Sequence, residues 1–169
     1  VDIGGGTTDI AVISLGGKVK ATSVDVAGNT FDDEILKFIR QKFNVVIGQR
    51  TAEELKKEVA CCRQRLFMAT MEIKGRSLVT GLPQRVQVRT DDLYGPVMIL
   101  AERIAAAAHQ VLERTPPELS GDIYAGGIML TGGGAQLHGL PELSASCSRW
   151  RFTSRPIRST AWRWVLLPA

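Results

Sequence analysis

The run Asp2-Ile3-Gly4-Gly5-Gly6-Thr7-Thr8-Asp9 constrains this chain more than any other feature. It sits between two stretches that alternate like β-structure, so it reads as a turn between strands. Glycines without a Cβ let the backbone bend tightly and bring its N–H groups close to a ligand. Successive amides in such a bend point inward as a nest for an anion, and Thr7 and Thr8 add hydroxyl donors. Asp2, at the end of a strand and facing the same place, is positioned to hold a hydrated Mg²⁺ directly or through water. Taken alone, a triple glycine is more simply a hairpin with no ligand.

A second bend of the same kind follows far along the chain. In Leu130-Thr131-Gly132-Gly133-Gly134-Ala135 a buried strand runs into three glycines and then a helix. Ligands settle outside the carboxyl ends of sheet strands, and bare backbone there admits a flat nucleoside. Two such bends, each at a strand end and separated by helices, point to a nucleotide site.

The intervening text is consistent with that placement. Phe31, Ile35, Phe38, Ile39 and Phe43 form one apolar helical stripe. Asn29 or Thr30 is the expected N-cap, Asp32, Asp33 and Glu34 the expected acidic first turn, and Gly48 the expected stop. Thr51-Ala52-Glu53-Glu54 spells a capping box for a second helix. Strands are expected at Met71–Lys74 and Arg85–Arg89 with a turn at Gly75-Arg76. A long helix opening at Asp91 or Asp92 buries Val97, Leu100, Ile104, Ala108 and Val111 and stops at Pro116-Pro117. A short helical turn follows before the strand Ile128–Thr131.

Hydrophobic residues at 44% and charged residues at 22% exclude a disordered chain or a coiled coil. No apolar run reaches the roughly 20 residues of a membrane-spanning helix. Cys61, Cys62 and Cys147 lack metal-ligand spacing and do not make a disulfide scaffold, which suits a reducing compartment. The net charge of +4 does not call for nucleic acid. From Arg149 onward there are five arginines and no acid, so residues 1–148 hold 16 basic and 17 acidic side chains. His109 and His138 have no partner at a catalytic spacing and are expected to be structural or exposed. Val1 is not an initiator Met, and the chain is expected to be the second half of a longer protein.

Val1–Val12 resembles the second phosphate loop of the actin-like ATPases, and Ile128–Leu140 resembles their adenosine loop. Within that superfamily the connectors resemble the bacterial rod-shape family MreB: Val26-Ala27-Gly28-Asn29-Thr30-Phe31-Asp32, Ile47–Lys56, Lys74-Gly75-Arg76, Val79–Pro83 and Leu112–Leu119. The resemblance implies an α/β fold, the second half of an actin-like ATPase: a ribonuclease-H-like mixed sheet with helices over 1–48 and 91–142, plus a small inserted subdomain at 49–90. It implies ATP and Mg²⁺ as cofactors, with Gly4, Gly5, Gly6, Thr7 and Thr8 on the β/γ-phosphates. Glu53, Glu54, Leu55 and Lys56 would meet the ribose or adenine edge, Gly132, Gly133, Gly134 and Ala135 would cradle the adenosine, and Asp2 would take the metal. Thr7 or Thr8 would orient the attacking water, while the first phosphate loop, the catalytic glutamate and the membrane-binding segment lie upstream.

The resemblance further implies self-association into filaments, partners in cell-wall synthesis and the rod complex, and a cytoplasmic protein that meets the membrane surface through its other half. An FtsA-type division protein, or a DnaK-type chaperone or sugar kinase, shares the glycine loops and is the competing expectation.

The tail departs from the family. Codons allowed for Arg149 to Leu166, read one base out of frame, spell the family's Ala-Asp-Pro turn and Val-Ala-x-Gly helix start. A frame shift is therefore expected near Leu143–Ser148, and 143–169 is expected to be aberrant. A compensated shift near Ala60–Arg63 accounts in the same way for Arg63–Thr70. The Arg/Trp tail lacks the amphipathic period of a membrane anchor. Its expected consequence is loss of the last sheet strand and its covering helix, leaving an apolar edge.

Overall fold

A computed structural model describes residues 1–63, 68–148 and 151–154. Three strands open the chain: β1 (Asp2–Ile3), β2 (Thr8–Ser14) and β3 (Gly17–Val24), paired antiparallel in that order. Along β2 the alternation works as predicted, with Thr8, Ile10 and Val12 buried and Asp9, Ala11 and Ile13 exposed.

The other side of β1 meets β7 (Ile128–Leu130), reached after α3 (Thr90–Glu113) and α4 (Pro117–Gly126). The contact is a parallel bridge between Asp2 and Thr131. The Ile3 amide donates to the Thr131 carbonyl at 2.8 Å, and the Thr131 amide donates to the Val1 carbonyl at 2.8 Å. Past α5 (Leu140–Ser148), β8 (Phe152–Ser154) lies parallel to β7. The spatial order is therefore β3-β2-β1-β7-β8, antiparallel on one side of β1 and parallel on the other.

The last sheet strand is thus present, contrary to the sequence expectation. An edge strand needs only free backbone groups and an apolar residue toward the core, and Phe152, 8% exposed, supplies the latter. The helix expected to cover it falls outside the described residues, as do residues 64–67 of the second doubtful stretch.

Between the halves of this sheet come α1 (Gly28–Phe43), β4 (Val45–Val46), α2 (Gln49–Glu58), β5 (Thr70–Ser77) and β6 (Pro83–Arg89). The strands form a second antiparallel sheet in the order β4-β5-β6. One core runs through both parts, from Ile3, Phe31 and Ile104 to Leu55, Ile73 and Val88. A smaller cluster of Ile10, Val12, Ala107, Ala108 and Val111 packs β2 against α3.

Several local signals resolve differently from their sequence reading. Helix α1 starts early, capped at Ala27, whose amide donates to Thr30 Oγ1 at 3.3 Å, so the acids fall beyond its first turn. It stops at Asn44 in the left-handed region (φ 53°), which Asn tolerates better than most residues. Gly48 instead precedes α2, which begins before the Thr51 box can form. β5 runs straight through Gly75-Arg76, and the chain turns at residues 78–82. Gly75 is a close-approach residue: a Cβ there would collide with the Val45 side chain and the Val46 carbonyl.

Helix α3 matches its predicted buried face, and Asp92 accepts the Arg89 amide at 2.9 Å and pairs with Lys42. No described helix is long and apolar enough to cross a membrane.

Candidate functional site

The bridge between β1 and β7 places the carboxyl ends of two parallel strands side by side, and each strand leads directly into a triple glycine. The two bends therefore lie next to each other although more than a hundred residues separate them in sequence. Their contact is intimate. A Cβ on Gly132 would lie 2.5 Å from Asp2 Oδ1 and still nearer the Ile3 carbonyl, and a Cβ on Gly134 would run into the Ile3 side chain. Gly132 also adopts φ +85°, a region costly to other residues. Asp2 is half-buried beside Gly132, at the seam between the bends.

The first bend is open on its other side. Gly5 and Gly6 are exposed, and a Cβ on Gly6 would meet nothing within 4 Å. Its shape is held from behind. The Gly4 amide donates to the Thr7 carbonyl at 3.0 Å, while the amides of Gly28 and Asn29 donate to the carbonyls of Gly4 and Gly5 at 3.0 and 2.8 Å. With the Gly4 and Gly5 carbonyls engaged by the start of α1, Gly5 and Gly6 keep amides that bond to none of the described residues. Amides and hydroxyls are donors, so an open run of them fits an anion better than a cation. Gly133, in the second bend, is likewise exposed with open space around it, and Ala135 is buried behind it.

The two threonines part company. Thr8 is fully buried, and its hydroxyl donates to the Val26 carbonyl at 2.6 Å. Thr7 is exposed, with its hydroxyl 3.3 Å from Asp9 Oδ2.

The four candidate residues of α2 also divide. Leu55 is fully buried in the core. Glu54 pairs with Arg50 at 3.1 Å and Glu53 with Lys57 at 2.7 Å on the exposed face. The hydrogen bond from Lys57 holds the Glu53 carboxyl below its ordinary value, and Lys57 is raised by the same bond. Only Lys56 turns toward the first bend. Its ammonium donates to the Gly28 carbonyl at 2.9 Å and to Asp32 Oδ2 at 2.8 Å.

Asp32 is the residue that sequence reasoning missed. It is 4% exposed, on the same face of α1 as Ile35 and Ile39. An acid three and seven residues from core positions on a helix was the available signal.

Elsewhere, His109 pairs with Glu113 on the surface of α3. Cys61 and Cys62 are free and buried, and the Cys62 amide donates to the His138 carbonyl at 2.7 Å. Burial, with help from the Cys61 thiol, pushes the Cys62 thiol up to about 12, so it is an inert proton-bearing side chain at neutral pH. Among the described residues no group of three or more His, Cys, Asp or Glu could hold a metal ion.

A sequence model of the family described as MreB/Mbl protein matches residues 1–149. The cell shape-determining protein Mbl of Bacillus cereus is 48% identical over 145 residues, covering 86% of this chain and 44% of that protein. The cell shape-determining protein MreB of Escherichia coli K12 is 38% identical over 143 residues, covering 85% of this chain and 41% of that one. Among solved structures, MreB5 of Spiroplasma citri bound to ADP superposes with a TM-score of 0.88 at 38% identity. That superposition covers 92% of this chain and 47% of the other, and the same protein bound to AMPPNP gives 0.86. This chain therefore spans less than half the length of the relatives it matches.

Proposed function

Since the chain belongs to the MreB/Mbl family, with an actin-like fold, we propose that it is part of an ATP-binding, filament-forming cytoskeletal protein that maintains rod cell shape by guiding cell-wall synthesis. One observation carries the nucleotide part: two glycine bends at the carboxyl ends of adjacent parallel strands, with Asp2 at their seam. The nucleotide-bound crystal structures of MreB5 support the same reading.

In this reading the exposed amides around Gly5 and Gly6 receive the β/γ-phosphates. The open backbone at Gly133, with Gly132, Gly134 and Ala135, receives the adenosine. Lys56 has one ammonium hydrogen left after Gly28 and Asp32, and it reaches the ribose side together with Glu53. Asp2 fits a Mg²⁺ ion, a hard cation that takes oxygen ligands and would offset phosphate charge. Thr7, being exposed, orients the attacking water, whereas the buried Thr8 braces the turn. Residues from the remainder of the full-length protein complete the hydrolytic site.

Self-association into filaments, contact with cell-wall synthesis and rod-complex membrane proteins, and the approach to the membrane surface belong to the intact protein. The names of the Mbl and MreB relatives as cell shape-determining proteins support that role. The test is saturable binding of MgATP or MgADP to this chain by titration calorimetry, followed by nucleotide-dependent sedimentation. Binding that is weakened by Gly6→Val and lost on adding excess unlabelled ATP in a competition assay supports the reading. Binding indifferent to both overturns it.

A further inference from the structure

We propose that Lys56 is a positioning residue that couples the first glycine bend to α2 and the sheet packed on it, so that occupancy of the bend is transmitted to β5. The coupling rests on the nucleotide reading above for its trigger, but its mechanics are in the chain itself.

Three elements converge on Gly28. A Cβ there would lie 3.3 Å from the Gly4 carbonyl oxygen, 3.5 Å from Lys56 Nζ and 3.6 Å from Gly5 Cα. The linkage is continuous: the Gly4 and Gly5 carbonyls accept the Gly28 and Asn29 amides, the Gly28 carbonyl accepts Lys56, and Lys56 extends from α2. The ion pair beside it is largely dry, with the Lys56 and Asp32 side chains only 17% and 6% exposed.

The pair is also incompletely satisfied. Asp32 Oδ2 accepts Lys56, but Oδ1 is buried with no hydrogen-bond partner among the described residues. A buried acceptor left bare is costly, so Asp32 depends on Lys56 more than a fully bonded carboxylate would. Any movement of the first bend shifts Gly28, and Lys56 must follow or leave Asp32 with neither oxygen paired. The arrangement thus favours concerted movement of the bend, the start of α1 and α2, and α2 packs directly on β5.

Hydrogen exchange with and without saturating MgATP tests this. In the unmodified chain MgATP should slow exchange at residues 4–8 and also at β5, by roughly tenfold. In Lys56→Met, with MgATP raised until residues 4–8 are again fully protected to offset the lost ribose contact, β5 protection should still be lost, and Lys56→Arg should restore it. Asp32→Asn, nearly isosteric, should weaken β5 protection in the same sense, and it carries the comparison if Lys56→Met does not fold. Protection of β5 that persists in the variant tested overturns the coupling.

If the unmodified chain binds no MgATP, the nucleotide reading fails, and the coupling is judged without ligand. Lys56→Met, or Asp32→Asn in its place, should then speed exchange at the bonded amides of Gly4, Gly28, Asn29 and Phe31 roughly tenfold with α3 unchanged. Unchanged exchange at the bend would overturn it.

Discussion

The two triple glycines are spelled alike and solve different problems. In the second bend, Gly132 and Gly134 are glycines because the first strand stands where their side chains would be. In the first bend, Gly5 and Gly6 border open space or a movable Asn29 side chain. Gly132 and Gly134 are required by the protein's own packing, whereas Gly5, Gly6 and, between the packed pair, Gly133 leave backbone uncovered. A single pattern in sequence can thus encode a steric demand in one place and open backbone in another.

The strongest way to break this contrast is through stability. Gly134→Ala and Gly132→Ala force a Cβ into Ile3 or its backbone, Gly132 with an added conformational penalty. Each should cost about 2–4 kcal/mol in urea unfolding. Gly6→Ala and Gly133→Ala meet nothing and should stay within about 0.5 kcal/mol. Equal losses at Gly6 and Gly134 would erase the distinction.

Binding should show the converse. Gly6→Val is expected to weaken MgATP by roughly tenfold or more, about 1.4 kcal/mol, while leaving the unfolding midpoint nearly unchanged. Next in size is the threonine pair. Thr8→Val strands the Val26 carbonyl in the interior and should cost about 1–2 kcal/mol, whereas Thr7→Val should be silent in unfolding and visible only in nucleotide turnover by the intact protein.

The smallest signal uses Cys62, whose amide is tied to the His138 carbonyl just beyond the second bend. Its thiol, held near 12 by burial, should resist alkylation at pH 8 in the native chain and in Gly6→Ala, but react in Gly134→Ala. Because the folded value lies above the ordinary 9.0, this thiol's contribution to stability is complete below pH 9 and declines as pH rises toward 12.

Much of this was legible in the residues. The stripes Phe31–Ile35–Ile39 and Val97–Leu100–Ile104 locate α1 and α3 because helical periodicity is a local property. The family connectors and the two glycine runs located the bends. What escaped depends on contacts between distant segments. Gly75 imitates a turn because its true cause, β4 crossing its face, lies thirty residues away. Thr8 spells a ligand hydroxyl, yet the Val26 carbonyl takes it. Lys56 and Asp32 each look like solvated helix charges until α1 and α2 are packed together. The caps of α1 and α2 lie a residue or more from where the spelling puts them: Thr30 closes α1 from its third position by accepting the Ala27 amide, and α2 opens at Gly48 with no side-chain cap.

The three-residue rung at Phe152–Ser154 lies beyond the family match, which ends at residue 149, and still completes the sheet. Hydrogen bonding along a rim is indifferent to side-chain identity, so residues outside a family's pattern can be knitted in wherever one bulky apolar group lands facing inward. The boundary of a lineage's vocabulary and the boundary of its architecture need not coincide.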